Sequence, residues 1–183
     1  MTKISDMRFF FIFSIILYSC SNSSQSVKEF IDIENLPIEE IKGAEMLHTH
    51  NGFLRVKVIA NTIKRFRDVQ PSLIFSDGLE VVFYNDSGKV QSVLTAESAK
   101  IDETNNIMIA SGNVVLISSE NKKLESEELV WDEVKNKIHT NKNIVVTTGR
   151  EVVEGKGFQS NPDFSEYSIS KIQGVFNFTA EIK

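Results

Sequence analysis

Residues 94–116 read LTAESAKIDETNNIMIASGNVVL, and residues 124–146 read LESEELVWDEVKNKIHTNKNIVV. At a spacing of thirty residues, Asp102 falls on Asp132, Met108 on Ile138 and Val114 on Ile144. Each unit alternates apolar and polar residues on both sides of a turn-prone centre, which indicates strand, tight turn, strand. Such a unit cannot bury its apolar face alone, so we expect the copies to stack or to face each other.

The repeat also predicts which side chains share a face of the sheet. In the second strand of each unit, one face carries the even-numbered residues: Met108, Ala110, Gly112, Val114 and Leu116, matched by Ile138, Thr140, Lys142, Ile144 and Val146. In the first strand, the apolar positions slip out of phase near Glu97 and again near Glu127. We expect a β-bulge at both places, because one extra residue restores the apolar face.

Alternation of this kind continues along most of the chain after residue 50. Turn-prone pairs such as Asp77-Gly78 and Asn105-Asn106 separate the alternating runs, and no stretch there sustains a helical period. The sequence therefore predicts one all-β domain over residues 50–183. The preceding residues 27–47 are compatible with either an extended or a helical lead-in.

Composition excludes several classes of function. The chain has 183 residues, a formal net charge of −5 and one cysteine, which excludes an internal disulfide and any Cys-cluster metal site. The acidic balance argues against a nucleic-acid-binding protein, since those carry a basic face. No P-loop, Ser/His/Asp set or paired-carboxylate motif stands out, so we predict no cofactor and no enzymatic activity.

The N-terminus reads as an export signal. Its apolar run, Phe9 to Tyr18, has the length of a secretory signal and is too short to cross a hydrocarbon core of about 30 Å. The run ends at Leu17-Tyr18-Ser19-Cys20, which resembles the lipobox of bacterial lipoprotein precursors. We predict a signal peptide over residues 1–19, lipidation of Cys20, and a tether with a lead-in over residues 20–49. An ordinary signal peptide with an incidental cysteine is the alternative.

Several segments together resemble the LptC family, the periplasmic component of lipopolysaccharide export. The likeness covers about residues 50–175 and rests on the order of five pieces: FSDGLEVVFY (75–84), LTA (94–96), ASGNV (110–114), LESEELVW (124–131) and IHT (138–140), with GKGF (155–158) near the end. The resemblance implies an open, twisted β-jellyroll of the kind found in the bridge protein LptA. Many members of the family begin with a transmembrane helix, and this chain departs from them by its lipobox.

The resemblance also implies a function and a site. It implies transport of lipopolysaccharide across the periplasm, accepted from the inner-membrane ABC transporter and passed to an LptA-type bridge by edge-strand pairing. The acyl chains of lipid A would lie in an apolar groove lined by Leu79, Val81, Phe83, Leu94, Met108, Val114, Leu116, Leu129, Trp131, Ile138, Ile144 and Val146. The transport role implies anchoring on the periplasmic side of the inner membrane, although Ser21 is also compatible with sorting to the outer membrane.

Two alternatives stay open at this level. The domain could be a structural or protein-binding scaffold of the cell envelope with no lipid passenger, and a jellyroll packed shut would favour that interpretation.

His48 and His50 have the spacing of two metal ligands on one strand face, but no cysteine or third histidine lies near them in the sequence. We therefore interpret them as a solvated pair in a loop.

Overall fold

The computed structural model describes residues 36–67 and 69–177. Its ten strands form one antiparallel sheet: β1 (Glu39–His50), β2 (Phe53–Arg65), β3 (Leu73–Tyr84), β4 (Val90–Ala96), β5 (Ser98–Asp102), β6 (Ile107–Ser118), β7 (Lys123–Asp132), β8 (Lys137–Thr147), β9 (Glu151–Ser160) and β10 (Tyr167–Asn177). The prediction of an all-β, open jellyroll is confirmed. The signal peptide and Cys20 lie outside the described residues.

The strands pair in the order of the sequence, so the sheet is a meander. β4 and β5 share one place in that order, because both pair with β3 on one side and with β6 on the other. The chain leaves strand geometry only at Glu97, between the two halves. β3 follows this break with a bulge of its own, in which Asp77 and Gly78 both have positive φ angles of 66° and 96°.

The thirty-residue repeat corresponds to two equivalent hairpins, β5–β6 and β7–β8. Their turns are built alike, since each begins with an aspartate that accepts backbone N–H groups and ends with an asparagine at positive φ. Asp102 accepts from Thr104 and Asn105 at 3.0 Å, and Asp132 accepts from Lys135 at 2.9 Å. Such local hydrogen bonds are what make aspartate a turn residue. The predicted strand–turn–strand unit is therefore confirmed.

The strand pairing is irregular where the apolar alternation of the repeat slips by one residue. The β7–β8 register shifts between Ser126 and Val130, a span that contains Glu127, and the β6–β7 register shifts between Ser111 and Val114. Gly112 in the second shift has φ of 82°, and a Cβ atom there would lie 2.5 Å from Glu97 Oε2. Only glycine combines this backbone conformation with so close a side chain.

The sheet begins earlier than residue 50, the predicted start of the domain. β1 runs over Glu39–His50 and pairs along its length with β2, so part of the predicted lead-in is extended and belongs to the sheet. His48 and His50 are thus strand residues, and their interpretation as a loop pair is wrong. Residues 39–43 of β1 are exposed, and only its second half alternates, with Ala44, Met46 and His48 partly buried between exposed neighbours. Within the described residues, no helix is long and apolar enough to cross a membrane.

The sheet curls into two facing layers, and its apolar side chains lie between them. Phe83 of β3 and Trp131 of β7 meet edge to face across the interior, with ring centroids 5.4 Å apart. The β9–β10 loop packs over the inner face as well, where Phe164 is fully buried between Phe158 and Tyr167. One continuous apolar cluster with members from β2 through β9 results, and it is the core of the molecule.

Candidate functional site

The twelve residues predicted to line a groove all project toward the interior of the curled sheet. Eleven of them are buried, and Trp131 is partly buried against the same cluster. The structure thus brings the twelve together on one face. It also shows that most of them pack against one another, so that only part of this face borders open space.

Sequence reasoning missed a second group of inner-face residues. They belong to β2, the start of β3, β9 and the β9–β10 loop: Val56, Val58, Leu73, Phe75, Phe158 and Phe164. Val56 and Val58 alternate with polar neighbours and were recognisable by that signal. Phe164 stands in the polar segment 161–166, where no periodicity marks it as a core residue.

An apolar inner cavity of about 260 Å³ lies between the two layers of the curled sheet. Its walls are mainly hydrophobic side chains from five strands: Met46, Val58, Leu73, Ile101, Ile107 and Met108. Cavities of this character bind apolar groups, because burial of apolar surface is favourable by about 25 cal/mol per Å². The inner cavity is therefore the part of the interior best suited to an acyl chain.

A larger polar vestibule of about 790 Å³ adjoins the inner cavity. The side chains around it include residues of β1, β2 and β4 and of the β3–β4, β5–β6 and β7–β8 turns, and four of them are amides: Asn85, Gln91, Asn106 and Asn136. The ion pair of Arg55 with Asp86 borders it as well, and so does the contact between His48 and Glu133. The interior thus changes from polar to apolar over a short distance.

Five residues border both spaces, and three of them form what we call the collar: His48, Trp131 and Glu133. His48 Nε2 lies 2.7 Å from Glu133 Oε1, which joins the edge strand β1 to the turn after β7. The His48 ring also meets the Trp131 ring edge to face, with centroids 6.5 Å apart. The collar therefore stands between the vestibule and the inner cavity and ties the two layers together.

The turn that carries Glu133 is held by its neighbour Asp132. Hydrogen bonds from the side chain and the backbone of Lys135 lower the pKa of the Asp132 carboxyl, and Lys135 Nζ lies 2.6 Å from Asp132 Oδ2. In the equivalent turn, a hydrogen bond from the Asn105 side chain lowers the pKa of Asp102. Both aspartates favour the ionised form, in which they accept hydrogen bonds and order the turns.

The collar brings together one histidine and one carboxylate. In the parts of the chain that the structure describes, no three His, Cys, Asp or Glu side chains are grouped to hold an ion. Glu133 contacts His48, whereas His50 lines the vestibule and takes no part in that contact. The side chains of the collar offer an aromatic surface and nitrogen donors, which suit binding by contact and hydrogen bond.

Two strands form the edges of the sheet. Among the described residues, β1 pairs only with β2 and β10 pairs only with β9, so each has one free row of backbone groups. β10 in addition exposes the large apolar side chains of Ile172, Val175 and Phe176. A free edge with exposed apolar side chains is a site at which another strand can add.

These features define a class of protein: an open β-jellyroll with an apolar interior, a polar entrance and two free edges. A family model described as lipopolysaccharide-assembly, LptC-related, matches residues 10–174. The chain therefore belongs to the LptC family and acts in lipopolysaccharide transport and assembly, as a component of the cell envelope associated with the inner membrane and periplasm. No curated protein matches the chain.

Proposed function

We propose that this chain carries lipopolysaccharide through the periplasm by sheltering acyl chains of lipid A inside the jellyroll. It accepts lipopolysaccharide from the inner-membrane ABC transporter and passes it to an LptA-type bridge protein. The observation that carries the proposal is the apolar inner cavity that lies beside a polar vestibule. An amphiphile needs both environments, one for its chains and one for its sugars.

The free edges support the two handovers. Another jellyroll that adds to the β10 edge continues the sheet by backbone hydrogen bonds, and its apolar side chains cover Ile172 and Phe176. We assign this C-terminal edge to the LptA-type bridge and the β1 edge to the transporter. The energy for movement comes from ATP hydrolysis by the transporter, since the sequence of this chain contains no P-loop.

The test is photo-crosslinking in living cells. A photoreactive residue at Met108, which lines the inner cavity, is expected to form adducts with lipopolysaccharide because acyl chains pass within reach. Val81 and Val146 lie on the same inner face outside that cavity, and they test how far along the face the acyl chains extend. Position Val145 is the matched control, since it neighbours Val146 on β8 but projects from the other face, opposite Glu125 and Glu154. Immunoblots read out the adducts and also the amount of each variant.

A second candidate function competes with the first, because eleven of the twelve predicted lining residues are buried in a packed core. A jellyroll that is packed shut would serve as an envelope scaffold that binds other proteins through its edges. Adducts at the inner positions exclude this scaffold function. If folded variants give no lipopolysaccharide adduct at any inner position, while a known carrier does, the transport proposal is wrong.

We propose further that Cys20 anchors the chain by covalent acylation after removal of residues 1–19. Two or three acyl chains bind a membrane stably, whereas one chain gives only marginal binding. A Cys20→Ser variant is expected to lose incorporation of radiolabelled palmitate. Incorporation into Cys20→Ser at the level of the natural chain would contradict the lipid anchor.

A further inference from the structure

The collar contains two buried nitrogen atoms that lack a hydrogen-bond partner within the described part of the chain. They are Trp131 Nε1 and His48 Nε2; the latter is close to Glu133 but not aligned with it as a hydrogen bond. Buried polar atoms nearly always have a partner, so these two require an explanation. An indole nitrogen can only donate, which means that the missing partner of Trp131 is an acceptor such as a ligand oxygen.

The lining of the vestibule indicates what kind of oxygen this is. Both carboxylates of the vestibule contact a basic side chain, and the side-chain oxygen of Asn85 already accepts two backbone N–H groups. The remaining side-chain amides are those of Gln91, Asn106 and Asn136. Phosphate binding relies on charge-assisted hydrogen bonds from Arg or Lys, and the one arginine of the vestibule is already occupied by Asp86. Side-chain amides both donate and accept, as sugar hydroxyl groups do.

We propose that the vestibule is a sugar-binding subsite that holds the saccharide head of an acylated glycolipid. A hydroxyl or carbonyl oxygen of the sugar accepts the hydrogen bond from Trp131 Nε1, while an acyl chain of the same molecule enters the inner cavity. The five lining residues that the two spaces share make this path continuous. The inference rests on the transport function proposed above. It adds that the jellyroll recognises the saccharide head of the lipid as well as sheltering its acyl chains.

Binding requires the collar to open. Solvent does not reach Trp131 Nε1, and the His48–Glu133 contact closes the space beside it. β1 is an edge strand held only by β2, so it can move away from the β7–β8 turn without breaking a central strand pair. The collar therefore opens when the His48–Glu133 contact breaks and the sugar takes the place of the His48 ring beside Trp131.

Trp131 is the single tryptophan of the chain, so its fluorescence reports on the collar without any labelling. The full chain in phospholipid nanodiscs is titrated with three water-soluble probes: lipopolysaccharide saccharide stripped of its acyl chains, inorganic phosphate, and laurate. We expect the stripped saccharide to change the emission of Trp131 in a saturable manner and phosphate to leave it unchanged. Laurate is expected to bind in the inner cavity and to strengthen saccharide binding.

A variant separates the hydrogen bond from the aromatic surface. Trp131→Phe keeps a ring but removes Nε1, and it is expected to weaken binding of radiolabelled saccharide about 3- to 10-fold in equilibrium dialysis. Glu133→Gln weakens the contact with His48 and is expected to raise quenching of Trp131 fluorescence by acrylamide about twofold. Glu45→Gln is the matched control, because Glu45 pairs with Lys57 at 2.7 Å within the β1–β2 hairpin and lines neither space; it changes neither reading.

The outcomes separate the subsite from the transport function. If intact lipopolysaccharide crosslinks inside the jellyroll but the saccharide leaves Trp131 emission unchanged, the sugar subsite is wrong and transport stands. An equal response to phosphate overturns the assignment to sugar, as does a folded Trp131→Phe variant with unchanged affinity. Failure of intact lipopolysaccharide to crosslink at any inner position rejects the transport function and the subsite together.

Discussion

A Val146→Lys substitution is expected to lower the free energy of unfolding by about 4 kcal/mol or more, a large part of the roughly 5–15 kcal/mol that keeps a domain folded. Val146 is fully buried near the C-terminal end of β8, where Leu124 and Val153 of the neighbouring strands pair with it. A lysine ammonium group at this position has no partner and no route to water. Urea unfolding followed by circular dichroism measures the loss.

Val145→Lys is the control that makes this result specific to the inner face. The two residues are adjacent, but Val145 lies opposite Glu125 and Glu154, so a lysine there gains cross-strand partners of opposite charge. We expect its free energy of unfolding to stay within about 1 kcal/mol of the natural chain. Equal effects at both positions would show that the assignment of faces in β8 is wrong.

Phe164→Ala is expected to cost about 3–5 kcal/mol, although Phe164 lies in a loop. Its ring is fully buried, edge to face with Phe158 at 5.2 Å and with Tyr167 at 5.1 Å. The loop is also tied to the rest of the sheet, since Lys122 Nζ donates to the Phe164 carbonyl at 3.3 Å. Removing the ring leaves a cavity where the β9–β10 loop covers the inner face.

Phe176→Ala tests whether the effect belongs to burial and not to the residue type. Phe176 is 56% exposed on the edge strand β10, and its truncation is expected to change the free energy of unfolding by no more than about 0.5 kcal/mol. Thermal unfolding of the two variants side by side gives the comparison. A midpoint for Phe164→Ala equal to that of Phe176→Ala would contradict the role of Phe164 as a core residue.

The repeat could be predicted from sequence because everything it depends on is local. A strand face has a period of two residues, and a turn that begins with aspartate uses hydrogen bonds within three residues, so both survive in the pattern. The turns at Asp102 and Asp132, the inner face of β6 and β8, and the irregularity at Glu127 were all recognisable for this reason. The twelve lining residues share an inner face on the same grounds.

The collar could not be predicted, because it depends on how far the whole sheet curls. His48 and Glu133 lie far apart along the chain, and neither sits in a motif that points to the other. Residues 27–47 were left open between strand and helix for a related reason, since only Ala44 and Met46 of β1 pack against the core and exposed side chains surround them. Phe164 escaped as well, because its burial follows from the return of a polar loop over the interior.

The equivalence of the β5–β6 and β7–β8 hairpins has a consequence for how such a sheet grows. Each hairpin brings its own turn and offers the same face to the interior. Inserting or deleting a whole hairpin therefore leaves the same side chains of every other strand facing the interior. Removal of a single strand would instead reverse the chain direction of every strand that follows it in the sheet. The length of the curled sheet is therefore adjustable in steps of one hairpin, while its two edge strands, β1 and β10, keep their identity.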